Sequence, residues 1–186
     1  MKAKKSFGQH FLVNEVMAKQ IAESLQMANE LKNVLEIGPG KGVLTKYLAK
    51  QDIYLKVVEA DHDMVAYLTD HHILNENQII FLDFLKLNMQ RVFDGKPFCL
   101  IGNYPYNISS QILIKMANYK ELVPEMVGMF QKEVADRVVA PPGSKTYGVI
   151  SVLVQAYYEG TTILDVPPSS FSPPPKVNSS VIRLVR

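Results

Sequence analysis

Three glycines fall within five positions in Glu36-Ile37-Gly38-Pro39-Gly40-Lys41-Gly42. They close the apolar run Asn33-Val34-Leu35-Glu36-Ile37 and precede residues 43–50, where Leu44 and Leu48 share a helical face. Such a segment reads as strand, loop, then helix. Glycines let the backbone approach a ligand closely, and a helix start supplies free N–H groups beside it. The loop is not a Walker A loop, because Lys41 is not followed by Ser or Thr. It is not the dinucleotide fingerprint either, since the glycines run G-x-G-x-G rather than G-x-G-x-x-G. A tight structural turn is the plain alternative for the loop alone.

The same alternation continues along the chain. Residues 54–59 and 79–82 read as strands, separated by a helix over 61–75 that Asp61 caps. Residues 98–101 are a fourth strand, and 109–118 an amphipathic helix through Ile112, Leu113 and Met116. A fifth strand over 125–130 feeds a helix through Val134 and Val138. Residues 161–166 and 180–185 are β-rich, with a proline-rich connection instead of a helix. The expected fold is α/β: a mostly parallel sheet, helices on both faces, and an antiparallel closing pair. At 186 residues one domain is expected, and 47% hydrophobic against 20% charged residues excludes a disordered chain.

The lone cysteine, Cys99, excludes an intramolecular disulfide and a cysteine–histidine zinc cluster. In an apolar run it reads as a reduced core residue of a cytoplasmic protein, with no metal. Polar residues Gln9, His10, Asn14 and Glu15 interrupt any leader-like core, and the most apolar window, 149–158, is too short to span a bilayer. A net charge of +2 is only a mild lean toward anionic partners.

Two acids follow the loop in order. Glu59 ends the second strand, where a carboxylate accepts from ribose hydroxyls. Asp83 ends the third, where an acceptor suits the amino group of an adenine ring. Both stand with Gly38 and Gly40 at carboxyl ends of parallel strands, the ligand edge of open α/β sheets. An adenosyl ligand satisfies the series, although each acid alone also reads as a helix cap. After the fourth strand comes Asn103-Tyr104-Pro105-Tyr106. The Asn103 side-chain oxygen and the Tyr104 carbonyl are placed to accept both N–H bonds of an exocyclic amino group. Such acceptance favours a pyramidal nitrogen and aims its lone pair outward. Pro105 stiffens the turn, and Tyr106 offers a ring for the base. A proline turn with a packed tyrosine is the bland alternative.

Taken together, Phe7-Gly8-Gln9-His10-Phe11-Leu12, residues 34–42 and 103–109, Gln131-Lys132-Glu133-Val134-Ala135, residues 142–148 and Phe171-Ser172-Pro173-Pro174-Pro175-Lys176-Val177 span nearly the whole chain. In this order they resemble the ribosomal RNA adenine N6-dimethyltransferases, most closely the branch acting on small-subunit RNA. The resemblance implies a Rossmann-like fold and S-adenosylmethionine as cofactor, held by His10, Leu12, Gly38, Gly40, Glu59, Asp83 and Asn103. The implied catalytic group is Asn103, Tyr104, Pro105 and Tyr106, with Phe171 pressing on the second face of the target adenine. The family often has Asn at the position of His10, and Leu, Ile or Pro at that of Tyr104. Its members usually continue into a small helical domain, so residues 1–186 resemble the catalytic domain alone.

The implied partner is 16S ribosomal RNA in a pre-subunit particle, met by a monomer. Lys2, Lys4, Lys5, Lys132, Arg137, Lys145 and Lys176 are candidates for its phosphates, although scattered solvated charges are the simpler reading of each. Three rivals stand beside this reading: a large-subunit relative conferring antibiotic resistance, a non-catalytic nucleic-acid-binding relative, and a nicotinamide dehydrogenase. The intact Asn103-Tyr104-Pro105-Tyr106 disfavours the second, and the glycine spacing disfavours the third.

Overall fold

The structure is a computed structural model that describes residues 2–186. Its centre is a seven-stranded sheet in the spatial order β4 (Ile79–Phe81), β3 (Tyr54–Glu59), β2 (Asn33–Ile37), β5 (Cys99–Asn103), β6 (Glu125–Gln131), β9 (Ser179–Val185) and β7 (Glu159–Val166). Neighbours from β4 through β6 pair in parallel, while β9 pairs antiparallel to both β6 and β7. The antiparallel closing pair is therefore present, with the later strand inserted inside and β7 left at the edge.

Side-chain alternation sends each strand's residues to two cores. Val34, Leu55, Val57, Cys99, Ile101, Val127 and Met129 face a layer made by α1 (Glu15–Ala22), α2 (Ala28–Leu31), α3 (Thr45–Leu48) and α4 (His62–Asp70). Leu35, Ile37, Val58, Leu100, Met126 and Phe130 face α5 (Met89–Val92), α6 (Ser109–Asn118), α7 (Lys132–Val138) and α8 (Val149–Gln155). Helices cover both faces, as the pattern predicts.

Local chemistry explains the boundaries. The Asp61 carboxylate accepts from the Asp63 amide at 3.0 Å and starts α4. The helix stops at Asp70 rather than running to 75, because His71 leaves helical geometry and His72 takes a φ of 53°. Likewise the expected helix over 43–50 is regular only from Thr45 to Leu48, with turns before it. Asn14 caps α1 by accepting from the Met17 amide at 3.1 Å, and Ala18, Ile21 and Ala22 form its buried face.

A second sheet of two short strands joins the chain ends. β1 (Phe11–Leu12) pairs antiparallel with β8 (Phe171–Ser172), Leu12 opposite Phe171 and Phe11 opposite Ser172. This ties the amino-terminal segment and the proline-rich loop together above the carboxyl ends of the parallel strands.

Candidate active site

Above those strand ends lies a cavity of about 810 Å³. Its wall includes His10, Leu12, Gly38, Gly40, Glu59, Asp83, Asn103, Tyr104, Pro105 and Tyr106. Residues from five distant stretches are thus brought together, because every one follows a parallel strand or sits on the segment folded over them.

All three loop glycines adopt left-handed backbone, with φ of 63° at Gly38, 56° at Gly40 and 81° at Gly42. A Cβ at Gly38 would meet nothing within 4 Å, so that position opens directly onto the cavity. A Cβ at Gly40 would meet the Phe11 ring at 3.2 Å, so there the glycine makes room for the covering segment.

Glu59 is buried and stitched to the loop. Its Oε2 accepts the Gly40 amide at 3.1 Å, and its Oε1 accepts the Asp61 amide at 2.9 Å. Burial raises its carboxyl above the ordinary range, against those amide bonds. Each oxygen keeps a second lone pair, so acceptance from a ribose hydroxyl is compatible with this arrangement. Beside it, Glu36 is 1% exposed and accepts the Thr45 hydroxyl at 2.6 Å. Burial pushes Glu36 up to about 8, and the charge of Glu59 adds to the shift. Glu36 also lines the cavity, a role the sequence analysis leaves unassigned. The signal was available: it is the one charged side chain in the otherwise apolar run Val34–Ile37. At neutral pH Glu36 keeps its proton and offers this wall a neutral carboxyl rather than a second negative charge.

Asp83 also lines the cavity, and its Oδ1 accepts the Leu85 amide at 2.9 Å. That bond caps a 3-10 turn over Phe84–Lys86 and fixes the carboxylate's direction. The other oxygen keeps its capacity to accept from an adenine amino group.

At the mouth, the Asn103 Nδ2 donates to the His10 carbonyl at 3.0 Å. With its nitrogen so engaged, the amide presents its oxygen as the acceptor that the proposed chemistry requires. Tyr106 shares a short hydrogen bond with the Ser179 hydroxyl, and its ring stacks on His10 with centroids 5.4 Å apart and planes 26° off parallel. His10 Nδ1 lies 3.0 Å from the Pro173 carbonyl, which links that ring to the proline-rich loop. Tyr104 turns the other way. Its ring is 1% exposed, its hydroxyl donates to the Val127 carbonyl at 3.3 Å, and it meets Phe130 edge-on at 5.2 Å. The side chain anchors the motif from below while its backbone faces the cavity wall.

Phe171 departs from the expectation that it presses on a base. It is 4% exposed, sits opposite Leu12 in the two-stranded sheet, and packs in the core with α1. Alternation along β8 buries it and directs its neighbour Ser172 to the cavity wall. In this arrangement it is a loop anchor.

The cations divide. Lys4 is clamped by Asp61 and Asp63 at 2.7 Å each, Lys132 by Asp136 at 3.3 Å and Asp165 at 3.4 Å, and Arg137 by Glu133 at 2.7 Å. All three cations stay at the surface, where such pairs are weak, so the contacts orient these side chains without removing them from solvent. Lys2 lines the main cavity, and Lys176 lines a second concavity of about 380 Å³ with Gln131 and Asn178. Lys5 and Lys145 are exposed, and neither lines either of these two cavities. Among the described residues there is no cluster of three or more His, Cys, Asp or Glu able to hold a metal, and no helix long and apolar enough to cross a membrane.

Comparison with known proteins gives this geometry its context. Ribosomal RNA small subunit methyltransferase A of Bacteroides thetaiotaomicron is 54% identical over 186 residues, covering all of this chain and 69% of its own length. The protein of the same name from Phocaeicola vulgatus is 52% identical, again over the whole chain and 66% of its own length. The chain thus spans about two thirds of the length of these curated relatives. Among solved structures, a dimethyladenosine transferase from Plasmodium falciparum superposes with a TM-score of 0.78 at 29% identity, over 95% of this chain and 63% of that one. The 23S rRNA methyltransferase ErmE follows with 0.76 at 26% identity, over 95% and 69%. An O-methyltransferase from Bacillus cereus, 17% identical with a TM-score of 0.59 over 94% of this chain and 82% of that one, shares the fold. The family model described as ribosomal RNA adenine dimethylase matches residues 1–186. Matched from end to end, and half identical to the relatives above, the chain belongs to that family.

Proposed function

We propose that this domain transfers methyl groups from S-adenosylmethionine to the N6 amino group of adenines in small-subunit ribosomal RNA, giving dimethyladenine. The substrate is 16S RNA in a pre-subunit particle, and the domain acts as a cytoplasmic monomer in ribosome biogenesis. The observation that carries the reading is the Asn103 amide. Its nitrogen is occupied by the His10 carbonyl, so its oxygen is an oriented acceptor beside both the cavity and Tyr106.

When bound, S-adenosylmethionine supplies a methyl group on positively charged sulfur. Glu59 and Asp83, both on the cavity wall, suit its ribose and adenine. Asn103 Oδ1 and the Tyr104 carbonyl accept the two N6 hydrogens of the target base. This localises the nitrogen lone pair and orients it, a preorganised electrostatic contribution that needs no strong base. Pro105, with φ of −57°, stiffens the turn, and the Tyr106 ring is held by Ser179 as a stacking platform. Lys2, Lys5, Lys145 and Lys176, with the surface-paired Lys4, Lys132 and Arg137, are the cations offered to phosphates.

Large-subunit RNA is the second substrate to consider, since the 23S enzyme superposes nearly as well as the dimethyladenosine transferase. Identity of 52–54% to small subunit methyltransferases A favours the small subunit. Labelled methyl transfer to undermethylated small subunits, run beside naked large-subunit RNA, tests the proposal. The expected result is label in dimethyladenine of the small-subunit RNA only, abolished in Asn103→Ala. Label in large-subunit RNA alone would overturn the substrate assignment.

A further inference from the structure

Lys115 lies on α6, six residues beyond the start of the helix that follows the Asn103–Tyr106 turn. Its Nζ donates to three backbone carbonyls of one short segment: Phe84 at 2.9 Å, Leu85 at 2.9 Å and Leu87 at 2.7 Å. It also stands 5.2 Å above the Phe84 ring. No carboxylate lies within ion-pair distance of it among the described residues. A half-buried ammonium whose three protons all go to main-chain carbonyls is committed to shaping that chain segment. Desolvation lowers its pKa, and the nearby Asp83 charge opposes the fall.

The segment it holds is the 3-10 turn over Phe84–Lys86, whose N-terminal cap is Asp83. The turn is therefore pinned at both ends. Asp83 accepts the Leu85 amide at its start, and Lys115 gathers the carbonyls at its finish. Leu82, Asp83 and Phe84 form one wall of the cavity, while Asn103 to Ile108 form another. Lys115 is the polar strut between these walls.

We propose that Lys115 is a positioning residue for the adenine end of the cofactor cavity: it sets the direction of the Asp83 carboxylate by clamping the turn that Asp83 caps. This rests on the reading of the cavity as an adenosyl site. If the ammonium is removed, the turn loosens, the Leu85 amide shifts, and Asp83 loses its fixed aim at the ring amino group. The predicted loss is selective for the 6-amino group of the ligand.

The test is a calorimetric cycle with two ligands, S-adenosylhomocysteine and S-inosylhomocysteine, in which a ring carbonyl replaces the amino group. The wild type should prefer the adenosyl ligand. Lys115→Met should weaken S-adenosylhomocysteine about fivefold, the scale of one lost hydrogen bond, and leave S-inosylhomocysteine nearly unchanged, so the preference shrinks. Methyl transfer should show a raised KM for the methyl donor with kcat within about twofold. Lys115→Gln, which keeps two donors, should fall between, and it decides the matter by the same ratio if Lys115→Met does not fold. An equal loss for both ligands, or none, would overturn the positioning role while sparing the cofactor reading. No binding of S-adenosylhomocysteine by the wild type would overturn both.

Discussion

Gly128 sits in the middle of β6, directly under the Tyr104 ring. A Cβ there would lie 2.1 Å from Tyr104 Cε2, 2.8 Å from Cδ2 and 2.9 Å from Cζ. Retreat is blocked on the other side, where a Cβ at Gly102 would meet Tyr104 Cε1 at 2.8 Å, and Phe130 closes the third side. The ring therefore occupies a slot cut by two glycines on adjacent strands. In Gly128→Ala the ring must lift, and the Asn103–Tyr104 backbone must move with it. Overpacking a tight core costs roughly 1–3 kcal/mol, and a contact this short belongs at about 3 kcal/mol, or a Tm lowered by roughly 6–12 °C for a chain of this size. Methyl transfer should fall more than stability alone requires, because the displaced backbone carries the two acceptors proposed for the N6 hydrogens. Tyr104→Leu should cost about 1–3 kcal/mol on its own, through lost packing and the lost hydroxyl bond to the Val127 carbonyl. In the double variant the leucine makes room for the new methyl, so the two penalties should sum to at least ~1 kcal/mol too much. Urea unfolding of the four proteins measures the coupling. Additive penalties, or a Gly128→Ala protein as stable and active as the wild type, would refute the slot.

Phe171→Ala should destabilise the domain by about 3–5 kcal/mol, the cost of truncating a core aromatic, read as an earlier urea midpoint. A stability change near zero would return the ring to the solvent side. Glu36 holds its proton up to about pH 8 in the folded state, well above the value for an unfolded carboxyl. Its contribution is therefore complete below the unfolded pKa and is lost as pH rises through 8. Tm should drop more between pH 6 and pH 9 in the wild type than in Glu36→Gln, and equal slopes would contradict the shift. Tyr106→Ala should cost roughly 1–3 kcal/mol of base stacking, while Tyr106→Phe should retain most transfer with a smaller loss from the missing Ser179 bond, both measured as kcat/KM on undermethylated subunits.

The parallel strands and the helices α4, α6 and α7 were legible because their signals are local, whereas the four-residue α5 is too short to show a period. A buried parallel strand is a short apolar run, and α6 repeats its apolar residues at helical spacing. The order of glycine loop, Glu59, Asp83 and Asn103 was legible for a related reason: in a doubly wound sheet every strand delivers its last residue to the same edge. What the sequence concealed was side-chain direction. Lys4, Lys132 and Arg137 looked open to phosphates, yet each found carboxylates on another element or one turn away. Glu36 looked like part of a motif, and its burial became visible only once α3 lay over β2.

The same limit governs the covering segment. Phe11–Leu12 and Phe171–Ser172 are two-residue strands about 160 positions apart in sequence, too short to show any period. Pairing them decides which side of each strand faces the cavity. Leu12 and Phe171 stand opposite one another, but Leu12 reaches the cavity wall and Phe171 does not. The Asn103 bond to the His10 carbonyl and the His10 contact to the Pro173 carbonyl close the same ring from both chain ends. The orientation of the Asn103 amide is thus set by a segment held in place by the proline-rich loop. Loss of the Phe171 anchor would free that segment and let the amide rotate, so substitutions at Phe171 would reach the reacting nitrogen through β8, β1 and His10 without the ring touching the base.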